Sequence, residues 1–403
     1  MRCTLRCRAS PPPFFKFDIL HKSKISNARA GVITTPHGTI NTPCFVPVGT
    51  NGAMKCLDHR DVPGMQLMFA NTYHLLLQPG RDVVKAAGGL HPFMNRTAPI
   101  ITDSGGFQVF SLKHGNIVDE RSEIKRAHPK KNTSNGCVLK ITEEGVSFRS
   151  YYNGEKIFLS PESSIDAQKD FGADIIIPLD ELPPHHITPA TLLQSLDRTH
   201  RWEERSLVRH LENVNQQAMY GVIHGSTSEE LRRVSATHLL GLPFDGYAIG
   251  GSLGTEATDL DLILNTVMPL LREDPKQRPV HLLGIGDEPS MLQGIQQGVD
   301  QFDSALPTKV ARHGTIFVKG YESGNPGIKN NRMNIRASAF KNDMRPIDDE
   351  CECVACRNHS RAYLHHLWKA KEPVIHTLLS HHNLRYTLNL VEEQREGILA
   401  GEV

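Results

Sequence analysis

Short apolar runs return along most of the chain, and each closes on a cluster of turn-forming or polar residues. The first four are "PCFVPVGT" (43–50), "MQLMFANTYH" (65–74), "APIITDSGG" (98–106) and "GADIIIPLDE" (172–181). Four more follow: "AMYGVIHG" (218–225), "DGYAIGG" (245–251), "HLLGIG" (281–286) and "QFDSALPTK" (301–309). Runs this short, bounded by Gly, Pro, Asn and Asp, predict buried strands. Between the later runs lie segments with helical spacing: "PATLLQSLDRTHRWEERSLVRHL", "TSEELRRVSATHLL" and "EPSMLQGIQQGV". The last two open with Ser, Thr or an acid, as helix caps do. Alternating strands and helices predict a parallel sheet covered by helices, and eight such units close a (β/α)8 (TIM) barrel. An open doubly wound sheet is the structural alternative.

One segment breaks the rhythm. "CVLKITEEGVSFRSYYNGEKIFLSPE" (137–162) alternates apolar and polar residues and turns at Glu144-Gly145 and Asn153-Gly154. That is the pattern of an antiparallel β-meander, inserted after the third strand. Just upstream, "EIKRAHPKKNTSNG" (123–136) is basic and rich in turn formers, and reads equally as a solvated linker or a phosphate-contacting loop.

Composition narrows the class. No apolar run reaches the ~18 residues that a membrane helix needs. The formal net charge of +1 means that any nucleic-acid surface is a local patch. Cys3, Cys7, Cys44, Cys56 and Cys137 are scattered, unlike a secreted disulfide framework, so a reducing, cytoplasmic compartment is expected. The tail "MRCTLRCRASPPPFFKF" carries Arg2, Arg6 and Arg8 without an acid, and reads as an organelle-targeting segment or a disordered tail.

The remaining cysteines, Cys351, Cys353 and Cys356, form C-x-C-x-x-C, too tight a spacing for accidental core thiols. A tetrahedral metal site needs a fourth ligand, for which His365, His366, His376, His381 and His382 compete. Three Cys with one His make a closed, structural zinc site.

In a parallel barrel the working residues sit at the C-terminal ends of the strands. There the chain presents Asn71-Thr72-Tyr73-His74, Asp103-Ser104-Gly105-Gly106, Asp180-Glu181, His224-Gly225, Gly250-Gly251, Gly284, Gly286 and Asp303. A single strand-end Asp is more often a helix cap than a catalyst. Asp103, Asp180 and Asp303 in one cleft would repel unless one binds a donor, one holds a proton or one is a nucleophile. With glycines that admit a ligand to backbone N–H groups, they point to an active site. A flat purine-like ring suits carboxylates on its edge and Phe107 or Tyr247 against its face. Lys309 and Arg312, just after Asp303, read as surface charge or as ligands for phosphate oxygens.

"NTYHL", "ITDSGGFQVFS", "GADIIIPLDE", "YGVIHG", "FDGYAIGGSLG", "GIGDEPS", "FDSALPTK", "CECVAC" and "SRAYLHHL" resemble, in order and spacing, the tRNA-guanine transglycosylases, or queuine tRNA-ribosyltransferases, from about Phe17 to the C-terminus. The resemblance implies a TIM barrel with an inserted antiparallel sheet and a C-terminal zinc subdomain. The division expected is a tail over 1–16, a barrel over 17–340 with its insertion at about 108–160, and a zinc-binding helical subdomain over 341–403. It implies exchange of guanine at the tRNA wobble position for a 7-deazaguanine base, with Asp303 as nucleophile and Asp103 as general acid and base. Asp180 would accept from the purine N–H edge, His224 and the Gly250-Gly251 backbone would face its carbonyl side, and Phe107 and Leu283 would sandwich the ring. Asn71, Ser104, Gly105, Gly106 and Gly254 complete the implied base pocket. Gln108, Gly284, Gly286, Ser290, Thr308, Lys309 and Arg312 would hold RNA. His382 is picked as the fourth ligand of one structural Zn2+ per chain.

Departures from the family pattern qualify this picture. His224 stands where many bacterial members have Gln, so a contact to the purine carbonyl requires an imidazole N–H there. Ser304 replaces Cys, Leu182 replaces Cys or Val, and "GGSLG" replaces "GGLAVGE" or "GGLSGGE". Gly254 stands where enzymes for the aminomethyl precursor carry Val, which favours queuine over that precursor. The partners implied are tRNA with a G-U-N anticodon, a queuine-type base, and a second subunit, either a copy or a non-catalytic homologue. Two rivals are a non-catalytic RNA-binding or scaffolding subunit and a catalytic zinc hydrolase. Intact Asp103 and Asp303 motifs weigh against the first, and the lack of a His/Asp ligand set at strand ends against the second.

Overall fold

The computed structural model describes residues 13–113, 138–183, 187–319 and 327–403. The first twelve residues of the N-terminal tail and the basic 123–136 loop lie outside them. Each of the eight apolar runs supplies one strand: Cys44–Pro47, Met68–Ala70, Ile100–Thr102, Ile175–Ile176, Ala218–Ile223, Gly246–Ile249, Val280–Leu282 and Gln301–Ser304. All join one parallel eight-stranded sheet, in which the eighth strand pairs with the first. The first and second strands meet at a Val48–Phe69 bridge, where Gly49 N–H donates to Phe69 O at 2.7 Å. The sheet is thereby a nearly closed barrel, not an open doubly wound one.

Alternation along each strand sorts the side chains into two layers. Val46, Phe69, Ile101, Ile175, Tyr220, Val222 and Ala248 fill the inside. Phe45, Met68, Ile100, Ile176, Met219, Ile249, Leu282 and Phe302 face the helices, against Leu207, Leu239, Ile263 and Met291. The three helical segments appear as Pro189–Glu212, Glu229–Leu240 and Glu288–Gln297, capped by Thr188, Ser228 and Asp287. A helix not predicted from the pattern, Ala257–Arg272, follows the sixth strand and opens on a Glu256/Asp259 capping box.

A second element not predicted is the antiparallel sheet Lys16–Lys22, Arg29–Thr35 and Gly38–Thr42. Its Ile33 and Ile40, with Phe15, join the inner layer and close the N-terminal end of the barrel. Arg29 locks it there, its Nε 2.9 Å from Oδ1 of the fully buried Asp300. The meander forms as Val138–Ile141, Val146–Arg149 and Lys156–Leu159. Its Val146, Phe148 and Leu159 pack on Tyr73, Phe110, Leu179 and Trp202, beside the C-terminal mouth.

A separate core surrounds the cysteines and gathers Ile316, Met333, Phe340, Ile347 and Leu364. It therefore draws on residues before 341, through a small sheet of Thr315–Phe317, Ile328–Lys329 and Arg332–Asn334. The helix Val374–Ala400 joins the two cores: Ile375, Leu378 and Leu379 belong to the cysteine core, and Leu384, Leu388, Val391 and Ile398 to the barrel core. No helix among the described residues is long and apolar enough to cross a membrane.

Candidate active site and metal centre

The carboxylates that end the third, fourth and eighth strands do not face one another bare, because each is met by its own donors. Asp103 is buried; its Oδ1 accepts from Thr72 N–H at 2.7 Å, and its Oδ2 from Asn71 Nδ2 at 2.7 Å and Gln108 Nε2 at 2.9 Å. Burial pushes the Asp103 carboxyl up to about 6, and these donors keep it from rising further. A carboxyl in that range can both give and take a proton near neutrality.

Asp180 is held on both oxygens. Ser104 Oγ donates to Oδ1 at 3.2 Å, and His224 Nε2 lies 2.9 Å from Oδ2. A carboxylate only accepts, so the Nε2–H of His224 is directed to Asp180 and not to a ligand carbonyl, and the Nδ1 edge lies against Gly251. This corrects the expectation that the same N–H meets a purine carbonyl. Gly250 N–H is taken by Ile223 O at 3.1 Å, which leaves Gly251 as the backbone donor of that pair.

At the eighth strand, Asp303 Oδ1 accepts from Gly284 N–H at 3.0 Å and from His281 Nε2 at 2.9 Å. No described residue bonds its Oδ2. Phe107 stands exposed at the mouth, on the first turn of the helix Gly106–Lys113, and Leu283 lies half-buried behind Gly250.

Other predicted residues fall differently. Tyr247 does not reach the mouth: it points outward into the helix layer, with the Arg278 guanidinium 4.5 Å from its ring. Gln108, expected to hold RNA, is turned inward onto Asp103. Gly254 has a local reason to be glycine. Its φ is +76°, and a Cβ there would lie 2.2 Å from Asp259 Cβ, the side chain that caps Thr255 and Glu256 N–H. Its smallness follows from this turn as well as from any room for a larger base. Gly286 likewise lies under Ser304, where a Cβ would approach to 2.3 Å. Ser290 N–H caps on Asp287, Thr308 is buried, and Lys309 and Arg312 are half-buried on and after the helix Leu306–Ala311.

Two buried polar groups lie away from the strand ends. His281 sits inside an apolar run, where parity with Asp303 on the neighbouring strand could have marked it as inward. Glu203, on the helix Pro189–Glu212, accepts from Val222 N–H at 2.7 Å, and burial pushes its carboxyl well above the usual range.

At the cysteine cluster one candidate histidine converges with the thiols. His382 Nδ1 lies 3.7, 3.6 and 3.2 Å from the sulfurs of Cys351, Cys353 and Cys356, all four residues being buried. Its Nε2 lies 2.8 Å from Phe317 O, which can only accept, so Nδ1 keeps its lone pair for a metal. A tetrahedral zinc with ordinary Zn–S and Zn–N bonds would separate S and N by about 3.6 Å, so the residues fit the ion. His381 is bonded to Asp61 O and His365 to Ile335 O. A second group, His37, His91 and Asp174, lies at the opposite end of the barrel. Its two imidazoles stack at 3.5 Å and 13°, so an ion in the plane of one ring would be far out of the plane of the other. With His37 Nδ1 2.8 Å from Asp174 Oδ1, it is a hydrogen-bonded brace.

Comparison with known proteins bears on this arrangement. A family model described as Queuine tRNA-ribosyltransferase matches residues 23–403. The chain is 52% identical over 388 residues to the Queuine tRNA-ribosyltransferase of Protochlamydia amoebophila (strain UWE25), covering 96% of this chain and 95% of the relative. It is 50% identical over 390 residues to that of Chlamydia caviae and 49% identical over 390 to that of Chlamydia felis, covering 96% of this chain and 99% of each relative.

Proposed function

The chain belongs to the queuine tRNA-ribosyltransferase family, and we propose that it works through two strand-end carboxylates, Asp303 as nucleophile and Asp103 as general acid and base. It is a tRNA-guanine transglycosylase that replaces guanine in tRNA with queuine. In the first half-reaction an Asp303 oxygen bonds the ribose anomeric carbon while the bond to guanine breaks. Guanine leaves with the electron pair and takes a proton from Asp103. In the second, the incoming base gives its proton to Asp103, its nitrogen attacks the same carbon, and the Asp303 carboxylate is released.

The observation that carries this reading is the contrast between the two carboxyls. Asp103 is buried and poised at about 6, suited to passing a proton both ways. Asp303 has one oxygen anchored by N–H donors and the other uncommitted, suited to forming a bond. Asp180, oriented by Ser104 and His224, accepts from the N–H edge of the base, Gly251 meets its carbonyl side, and Phe107 and Leu283 lie against its faces. Gly284, Gly286, Ser290, Thr308, Lys309 and Arg312 hold the RNA around the wobble base.

The metal of the cysteine cluster is a structural zinc in this reading. Cys351, Cys353, Cys356 and His382 supply a full tetrahedral set, tying the 351–356 turn to the helix Val374–Ala400. A non-catalytic scaffolding role is not favoured, since both working carboxylates are present at the mouth. Release of labelled guanine from tRNA with a G-U-N anticodon, with queuine and its aminomethyl precursor as competing bases, tests the whole scheme. Release driven by queuine and abolished in Asp303→Ala is expected. Exchange that survives in Asp303→Ala would remove the nucleophile, and preference for the precursor would overturn the choice of base.

A further inference from the structure

We propose that His281 is a positioning residue for the exchange reaction, anchoring Oδ1 of Asp303 so that Oδ2 is the oxygen that bonds the ribose. The proposal rests on the reading of Asp303 as nucleophile.

His281 lies in the seventh strand and is fully buried. The parallel register sets His281 against Gln301 and Leu282 against Phe302, so His281 and Asp303 project inward from neighbouring strands on a diagonal. The ring then delivers Nε2 to 2.9 Å from Asp303 Oδ1, the same oxygen that Gly284 N–H reaches at 3.0 Å. Because the carboxylate only accepts, Nε2 carries the hydrogen. Nδ1 is buried with no hydrogen-bond partner among the described residues, and the ring meets Phe69 edge-on at 6.2 Å. An imidazole with one nitrogen unsatisfied in an apolar interior is costly, and an aliphatic side chain would fill that space without the cost. Among the described residues, the bond to Asp303 is the one polar contact that its side chain makes.

Two donors on one oxygen define the rotamer of the nucleophile and divide the labour of its oxygens. The Oδ2 lone pair forms the bond to the anomeric carbon as the bond to guanine breaks. The electron pair leaves with guanine, which takes the Asp103 proton. In the resulting ester Oδ1 is the carbonyl oxygen and keeps both donors. When the incoming base, having passed its proton to Asp103, displaces the ester, negative charge returns to Asp303 and the same two N–H groups stabilise it. His281 touches neither base nor RNA in this arrangement, so its loss falls on kcat and not on KM.

The test compares His281→Leu, which fills the space without a donor, with His281→Gln, whose amide N–H reaches the place of Nε2. Loss of the donor should lower kcat for queuine exchange by about 10- to 100-fold, with KM for queuine and tRNA within about twofold. His281→Gln should recover to within about fivefold of wild type at an unchanged melting temperature. Denaturing gels should show slower formation of the covalent enzyme–RNA adduct in His281→Leu. Wild-type kcat in His281→Leu would overturn the proposal, as would a folded His281→Gln as slow as His281→Leu. If His281→Leu does not fold, His281→Asn takes its place, because its amide is too short to reach Oδ1. Fast Gln with slow Asn supports the anchor, and equal rates sink it. Asp303→Ala in the same assay separates the two readings: exchange persisting there means that the nucleophile assignment has failed, whatever the His281 variants do.

Discussion

At the cysteine cluster four ligand atoms point at one centre, whereas at the barrel mouth each carboxylate is met by a separate set of donors. The cluster takes three ligands from a six-residue turn and one from a single helix, and a second hydrophobic core grips both. The mouth draws Asn71, Asp103, Asp180, His224, Gly284 and Asp303 from six different strand ends, so its geometry depends on the register of the whole barrel. On the proposed function, the difference separates rigidity from reactivity within one chain. The buried Cys351, Cys353, Cys356 and His382 set could hold one metal ion, and with every ligand turned to that point it would act as a clamp. At the mouth one oxygen of Asp303 takes no bond from a described residue, which is what the nucleophile proposed above requires.

The largest expected effects test that separation from both sides. Asp303→Ala should lower exchange by about a thousandfold or more while leaving the melting temperature within a few degrees of wild type. Cys353→Ser, or chelation, should do the reverse: release about one metal ion per chain and lower the melting temperature by roughly 10 °C. The enzyme that remains folded should keep its KM for queuine. A chelator that stops exchange without moving the melting curve would break the distinction, because the ion would then belong to the chemistry.

A smaller effect sharpens the picture within the mouth. The Asn71 amide is one of the donors that hold the Asp103 carboxyl down, against burial that drives it up to about 6. Asn71→Ala removes a donor to the ionised form, so the carboxyl rises further, and the acid limb of kcat/KM for queuine should move to higher pH by about half a unit to one unit. An unmoved limb in a folded variant would assign it to a group other than Asp103.

These contrasts were unequally legible in the sequence. Barrel strands buried on both faces read as continuous apolar runs, and all eight could be seen. The sheet over 16–42 could not, since "KFDILHK" is half exposed and shows no clean alternation. Continuous apolar runs also hide which residues face inward, so the sequence pattern does not separate the outward Tyr247 from the inward His281. The strand-end carboxylates are legible as Asp103, Asp180 and Asp303, and Asn71, Ser104, Gln108, His224 and Gly284 are legible as site residues beside them, but not as their donors. Gln108 reaches Asp103 across a turn, and His224 reaches Asp180 from the next strand of the barrel. Cysteine spacing announced a metal site, yet His381 and His382 are adjacent on one helix, about 100° apart around its axis, and only the packing of Val374–Ala400 chooses between them.

The smallest effect asks whether a perturbed carboxyl must be a working one. Glu203, like Asp103, is buried and shifted upward, but it sits on a helix outside the strands, with Oε1 bonded to Val222 N–H and no partner for Oε2 among the described residues. Its shift is due first to burial, so the folded protein holds a proton that the unfolded chain releases above its ordinary value of 4.5. The native state then binds more protons than the unfolded one, and this group's contribution to stability falls as pH rises from 4.5 towards the folded value. Gln has the same shape and acceptor without that proton. Glu203→Gln should therefore be more stable than wild type by about 1 kcal/mol at pH ~8, with the gain shrinking towards pH ~5, and exchange should stay within about twofold. Urea denaturation at the two pH values measures it. A Gln variant that is equally destabilised at both would mean that the carboxyl is ionised and paired in the fold. One that folds normally but loses exchange would place Glu203 beside Asp103 among the groups proposed to do the chemistry.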